Sequence, residues 1–111
     1  MKKHLFPALW AVAFLAFLLA PGLAQAQKPS SDIAKLTAGM PRDVAGFIAR
    51  RVQCNRWDEI EAQHLASQSE INAAQLRYRC DGLEWEEKKL RRKHARHELV
   101  LKRIDMADAY S

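Results

Sequence analysis

An all-α fold, a compact bundle of three or four short helices stapled by one disulfide, is what three features of this sequence predict. Apolar residues recur at helical spacing from Val44 onward, no stretch alternates apolar and polar residues long enough for a strand, and the chain beyond residue 26 carries two cysteines, Cys54 and Cys80.

The first element is not part of that bundle. Lys2, Lys3 and His4 precede the apolar run Leu5 to Ala20, broken only by Pro7, and Pro21-Gly22 then leads to Ala24-Gln25-Ala26. A positive n-region, an apolar h-region, a helix breaker and a small-x-small site are the order of a cleaved secretory signal peptide, so residues 1–26 are expected to be removed near Ala26/Gln27. A retained anchor is disfavoured because the run is shorter than the roughly 20 residues that span a bilayer. No cysteine stands beside the cleavage site to be acylated. The expected location is therefore periplasmic or secreted, with no transmembrane anchor in the mature form.

Export shapes the rest of the reading. The 111-residue chain has a net charge of +5, and losing Lys2 and Lys3 leaves the mature part basic. One domain of that length buries only about 60% of its unfolded surface, so a covalent staple would matter. In an oxidising compartment the even pair Cys54 and Cys80 reads as one disulfide, and closing the loop between them is worth roughly 3 to 4 kcal/mol in the chain-entropy model. A redox-active or metal-binding pair lacks the C-x-x-C spacing.

Residues 27–39 hold Pro29, Ser30, Ser31 and Gly39 among few large apolar residues and read as a flexible N-terminal lead to a small helical domain over 40–111. Pro41 suits a first helical turn and Asp43 suits the positive end of the helix dipole. Val44, Phe47, Ile48 and Val52 follow at helical spacing, with Cys54 on the same face. From Asn55 to Leu65 the pattern supports either a short helix or a loop around a buried Trp57. Ser67 with Glu70 has capping-box spacing, and Ile71, Ala74 and Tyr78 beside Ala73, Leu76 and Cys80 predict a second helix over Gln68 to Arg79. The disulfide would then join the C-terminal ends of these two helices.

Asp81-Gly82 signals a turn. Beyond it Leu83, Leu90, Leu101 and Ile104 share a stripe, which suits either one long helix from Leu83 to Ala107 or two helices broken near His94 to His97. Trp57 and Trp85 are expected as packing residues, with Trp57 covering the disulfide, while Trp10 leaves with the signal peptide.

The strongest local signal for chemistry is the basic run Lys88, Lys89, Arg91, Arg92, Lys93 and Arg96, interrupted by Leu90, His94 and Ala95. These six are the candidate anion-binding residues, because such a run attracts phosphate-bearing polymers in proportion to the contacts made. On a helix they also spread around the axis, and Glu84, Glu86 and Glu87 stand where i+3 and i+4 ion pairs would neutralise them. His94 and His97, with His64 from elsewhere, offer imidazoles but no carboxylate-rich shell, so no metal and no cofactor is expected. Nothing resembles a nucleophile with a partnered base or a phosphate-cradling glycine loop, and an enzyme is not expected.

The segment from Met40 to Trp57, with Phe47-Ile48-x-Arg50-Arg51-x-x-Cys54-Asn55-x-Trp57 at its centre, and the segment Leu76 to Leu83 with Cys80, resemble a group of small exported proteobacterial proteins. The resemblance covers about residues 40 to 92, and Arg56 stands where histidine is common in the group. It implies a periplasmic, single-disulfide domain and no known activity.

Three functions fit these readings. The first is a periplasmic non-enzymatic interaction or accessory protein docking on another envelope protein. The second is a binder of an anionic envelope polymer or lipid headgroup through residues 88–96, nucleic acid being out of reach outside the cytoplasm. The third is an inhibitor of a cell-wall hydrolase, disfavoured because lysozymes are themselves generally basic.

Overall fold

A computed structural model describes residues 28–110 of the chain, so the signal peptide expected over 1–26 lies outside the described residues. Within them five α-helices and one 3-10 turn follow one another without a strand. The helices are α1 (Lys28–Thr37), α2 (Arg42–Ala62), α3 (Gln68–Arg77), α4 (Leu83–Lys93) and α5 (Glu98–Asp108), with the 3-10 turn at Cys80–Gly82.

The first departure from expectation is α1. The stretch 27–39, expected as a flexible lead, is helical from Lys28 to Thr37, and it packs Leu36 and half-buried Ile33 against the core. Two large apolar residues three apart are too few to show a stripe in the sequence, yet they suffice when a neighbouring helix covers them. Gly39, at φ +75°, takes the left-handed conformation that turns the chain out of the helix.

The second departure is α2, which runs unbroken for 21 residues. It absorbs both the helix expected up to Cys54 and the ambiguous stretch after it. Pro41 is its N-cap rather than a first-turn residue, and Asp43 Oδ1 accepts a hydrogen bond from the Val44 amide at 2.8 Å. Val44, Phe47, Ile48, Val52 and Cys54 are buried along it. The helix closes on His64, whose φ of +56° is left-handed. The Leu65 amide donates to the Ile60 carbonyl at 3.0 Å and the His64 amide to Glu61 at 3.1 Å, the paired bonds of a Schellman motif.

The capping box that opens α3 forms as the spacing predicts. The Glu70 amide donates to Ser67 Oγ at 3.2 Å and the Ser67 amide to Glu70 Oε1 at 3.3 Å. Ile71 and Ala74 are buried, whereas Leu76 and Ala73 face out, so the helix uses only one of the two stripes read from the sequence. It ends two residues earlier than expected, at Arg77, and Arg79 then adopts a left-handed φ of +51°. The stretch after Gly82 takes the broken form, with α4 and α5 separated at His94 to His97.

The core collects Leu36 from α1, the α2 residues, Leu83 and Leu90 from α4, and Val100, Ile104 and Ala107 from α5. Helix α2 is the hub, in contact with all four other helices. The Cys54–Cys80 disulfide is formed, with Cα atoms 5.7 Å apart. It joins the middle of α2 to the 3-10 turn rather than two helix ends, because α2 continues for two more turns past Cys54. Trp57 is half-buried, outside the cluster that forms the core. Trp85, expected as packing, is 65% exposed. Leu83 and Leu90 already fill the buried face of α4, and position 85 falls on the opposite side. Among the described residues no helix is long and apolar enough to cross a membrane.

Candidate functional site

Helices α2 and α4 pack against each other and leave a groove of about 530 Å³ between the N-terminal half of α2 and the outer side of α4. Its floor is Phe47, Leu90 and the bare backbone of Gly46. Around this floor stand Arg42 and Arg50 from α2, Arg79 after α3, and Lys89, Arg92 and Lys93 from α4, against two acids, Asp43 and Glu86. The local sequence explains the placement: Arg42, Gly46 and Arg50 lie at i, i+4 and i+8 on α2, and Lys89, Arg92 and Lys93 lie at i, i+3 and i+4 on α4, so each set shares one helix face.

Not all of this charge is free. Arg50 donates to both carboxylate oxygens of Glu86, at 2.9 and 2.7 Å, and to the carbonyls of Tyr78 and Arg79 at 2.9 and 3.2 Å. Lys93 Nζ sits 2.6 Å from Asp43 Oδ2. That ammonium is the main reason the Asp43 carboxyl is held down at about 2. His94 and the Val44 amide help, and partial burial opposes them. Arg42, Arg79, Lys89 and Arg92 enter no ion pair among the described residues. Lys89 Nζ instead stands 4.2 Å from the ring centroid of Trp85, a cation–π contact. The groove is thus lined by two satisfied cations and four that have no acid to answer them.

The six residues singled out in the sequence therefore separate. Lys89, Arg92 and Lys93 line the groove, while Lys88 points into a small cleft with Arg51, Glu84, Glu87 and Asp108. Arg96 is exposed in the α4–α5 loop and does not line the groove. Arg91 turns to the other side, where it meets Glu87 at 2.9 Å, Asp105 at 2.7 Å and Asp108 at 3.4 Å. Of the acids expected to neutralise their own helix, Glu87 makes the i, i+4 pair with Arg91 at 2.9 Å and also meets Arg51 of α2 at 3.1 Å, whereas Glu86 pairs with Arg50 of α2. Arg42, Arg50 and Arg79 were not among the candidates. The 42–46–50 spacing is a signal for the first two, but Arg79 reaches the groove only because α3 folds back on α2.

On the reverse side Arg51, Glu87, Arg91, Asp105 and Asp108 form a second network. Burial, with Glu87 beside it, pushes the Asp108 carboxyl up to about 6. Burial also works to raise Glu87, but hydrogen bonds with Asp108 and Arg91 hold it below its ordinary value. Arg51 Nε lies 3.1 Å from Asp108 Oδ1 without making a hydrogen bond.

The histidines take other roles. His94 is buried, with Nε2 3.3 Å from Asp43 Oδ2 and Nδ1 3.5 Å from His97 Nδ1, and His64 closes α2 on the far side of the sequence from both. Among the described residues no three His, Cys, Asp or Glu side chains are grouped to hold a metal ion.

The block from Phe47 to Trp57 does scaffolding work almost throughout. Phe47 and Ile48 are core, Arg50 covers the end of α3, and Arg51 binds the reverse network. Cys54 forms the bridge and Asn55 covers the end of α5. Comparisons with protein-family models, with curated proteins and with solved structures each find no match.

Proposed function

We propose that the protein is an exported, non-enzymatic accessory domain that binds a phosphate-bearing anionic ligand of the cell envelope in the α2–α4 groove. The observation that carries this reading is the set Arg42, Arg79, Lys89 and Arg92, four cations from three parts of the chain around one apolar floor with no acid paired to them. Like charges gathered without counter-charges repel one another, and an anion in their midst relieves that repulsion. The signal-like residues 1–26 and the formed disulfide support export to an oxidising compartment.

The docking reading, with another envelope protein as partner, would need a contiguous apolar patch. The exposed large apolar residues Leu65, Leu76, Trp85, Leu99 and Met106 are spread over three helices and a loop, which favours the groove instead. A basic groove also suits a basic cell-wall hydrolase poorly.

The test has two parts. Intact mass of protein recovered from the periplasm, before and after denaturing reduction and alkylation, should match residues 27–111 with both thiols masked until reduction; retention of residues 1–26 would refute cleavage, and absence of the protein from the periplasm would refute export. Titration with inorganic polyphosphate should show saturable binding whose log K falls linearly with log salt, and Arg42→Gln with Arg92→Gln should flatten that slope. Binding that is indifferent to salt or to both substitutions would refute the groove.

A further inference from the structure

Helix α4 presents a face that a soluble anion alone does not account for. Its inward side is spent on Leu83 and Leu90, Glu86 is turned to Arg50 of α2, and Glu87 is held between Arg51 of α2 and Arg91 on the side away from the groove. What remains outward on the groove side is Trp85, Lys89 and Arg92, at i, i+4 and i+7, all exposed, with exposed Arg96 following in the loop, while Lys88 shares the opposite cleft with Glu84 and Glu87. Glu84, the acid left on this helix, faces the clefts lined by Arg51 rather than the groove. The internal pairing therefore strips the outer face of its acids and leaves an indole, 65% exposed, at the end of a cationic row.

The place where an exposed amphipathic ring and its flanking cations are both satisfied is the headgroup layer of an anionic bilayer. The cations alone would serve a free phosphate polymer. Trp85 would gain nothing from one. We propose that the protein docks peripherally on an anionic lipid surface, with Trp85 in the headgroup layer and lipid phosphates in the groove between Arg42, Arg79, Lys89 and Arg92. This rests on the anion-binding reading of the groove and names the lipid surface as the source of the anion.

The test uses protein recovered after export, so that residues 1–26 do not themselves bind lipid, with vesicles of phosphatidylethanolamine and phosphatidylglycerol compared with vesicles of phosphatidylcholine alone. Co-sedimentation should occur with the anionic vesicles only, with a blue shift of tryptophan emission. Trp85→Ala should lose the blue shift and weaken vesicle binding by more than it weakens polyphosphate binding. Lys89→Gln with Arg92→Gln should weaken vesicle binding by about 25-fold, at about fivefold per surface-proximal charge. All three positions are exposed, and circular dichroism checks that each variant keeps its helices. Polyphosphate binding without vesicle binding, or vesicle binding that Trp85→Ala leaves intact, would overturn membrane docking and leave the groove reading standing. Failure to bind either probe would remove both.

Discussion

Asp43 and Asp108 show at single-residue scale how position decides the behaviour of one side-chain type. Asp43 sits beside Lys93 and His94 and keeps its charge down to about pH 2, whereas Asp108 is partly buried against Glu87 and holds its proton up to about pH 6. The consequences for stability are opposite in sign. Between about 2 and the ordinary 3.8, the unfolded chain binds a proton at Asp43 that the folded chain does not, so stability rises with pH there and is lost as pH falls through that window. Between 3.8 and about 6, the folded chain keeps a proton at Asp108 that the unfolded chain has released, so stability falls as pH rises. Asp108→Asn, which mimics the protonated form, should flatten the fall between pH 4 and 6 and leave the acid limb at Asp43 in place. Urea denaturation across pH checks this, and an unchanged decline above pH 4 would locate its cause elsewhere.

At the scale of elements, the helices are finished by side chains from their neighbours. Arg103 Nη1 of α5 donates to the carbonyls of Lys35, Leu36 and Ala38 at the end of α1, at 3.3, 2.9 and 3.3 Å. Arg50 of α2 serves the carbonyls after α3, and Asn55 Nδ2 of α2 donates to the Ala107 carbonyl in the last turn of α5 and to the Tyr110 carbonyl beyond it, both at 3.0 Å. Tyr110 then donates its hydroxyl to Asp32, tying the chain's end to α1. The Arg103, Arg50 and Asn55 contacts satisfy backbone acceptors that a helix end leaves open, and each also fixes one helix against another. Removing Asn55 should therefore cost more than a surface hydrogen bond. Asn55→Ala is expected to lower stability by about 1 to 2 kcal/mol, and Asn55→Asp by more, since it sets a carboxylate against the negative end of α5. Chemical denaturation of both variants checks the order.

At the scale of the whole molecule, α3 is the one described helix that gives no residue to the shared core cluster, and it packs on α2 and on the 3-10 turn that carries Cys80. The disulfide is the covalent part of that attachment. Cys54→Ala with Cys80→Ala should lower global stability by roughly 3 to 4 kcal/mol, and amide exchange should quicken first in α3. Equal loss of protection across all five helices would instead mean that the bridge acts on the unfolded chain alone. Because Arg79 stands in the same attachment, the variant should also weaken binding in the groove.

Patterns that act over three or four residues were legible without the fold. The helical class, the capping box at Ser67 and Glu70, the cysteine pair and the charged run of α4 are all local, since helix periodicity, capping and composition depend on near neighbours, whereas the stripe after Gly82 suited a continuous and a broken helix alike. The structure decided what neighbours distant in sequence impose. It made α1 a helix by giving Leu36 a core to enter, and carried α2 past Cys54, where Asn55 takes up the end of α5 and Asp58 shares a cleft with Asn72 and Gln75 of α3. It put Trp85 outside because Leu83 and Leu90 had taken the inner face. Half of the groove was legible, in Lys89, Arg92 and Lys93. The other half was not: Glu86 stands where it would cancel α4's own charge, and only the packing of α2 shows that it answers Arg50 and leaves the outer cations free.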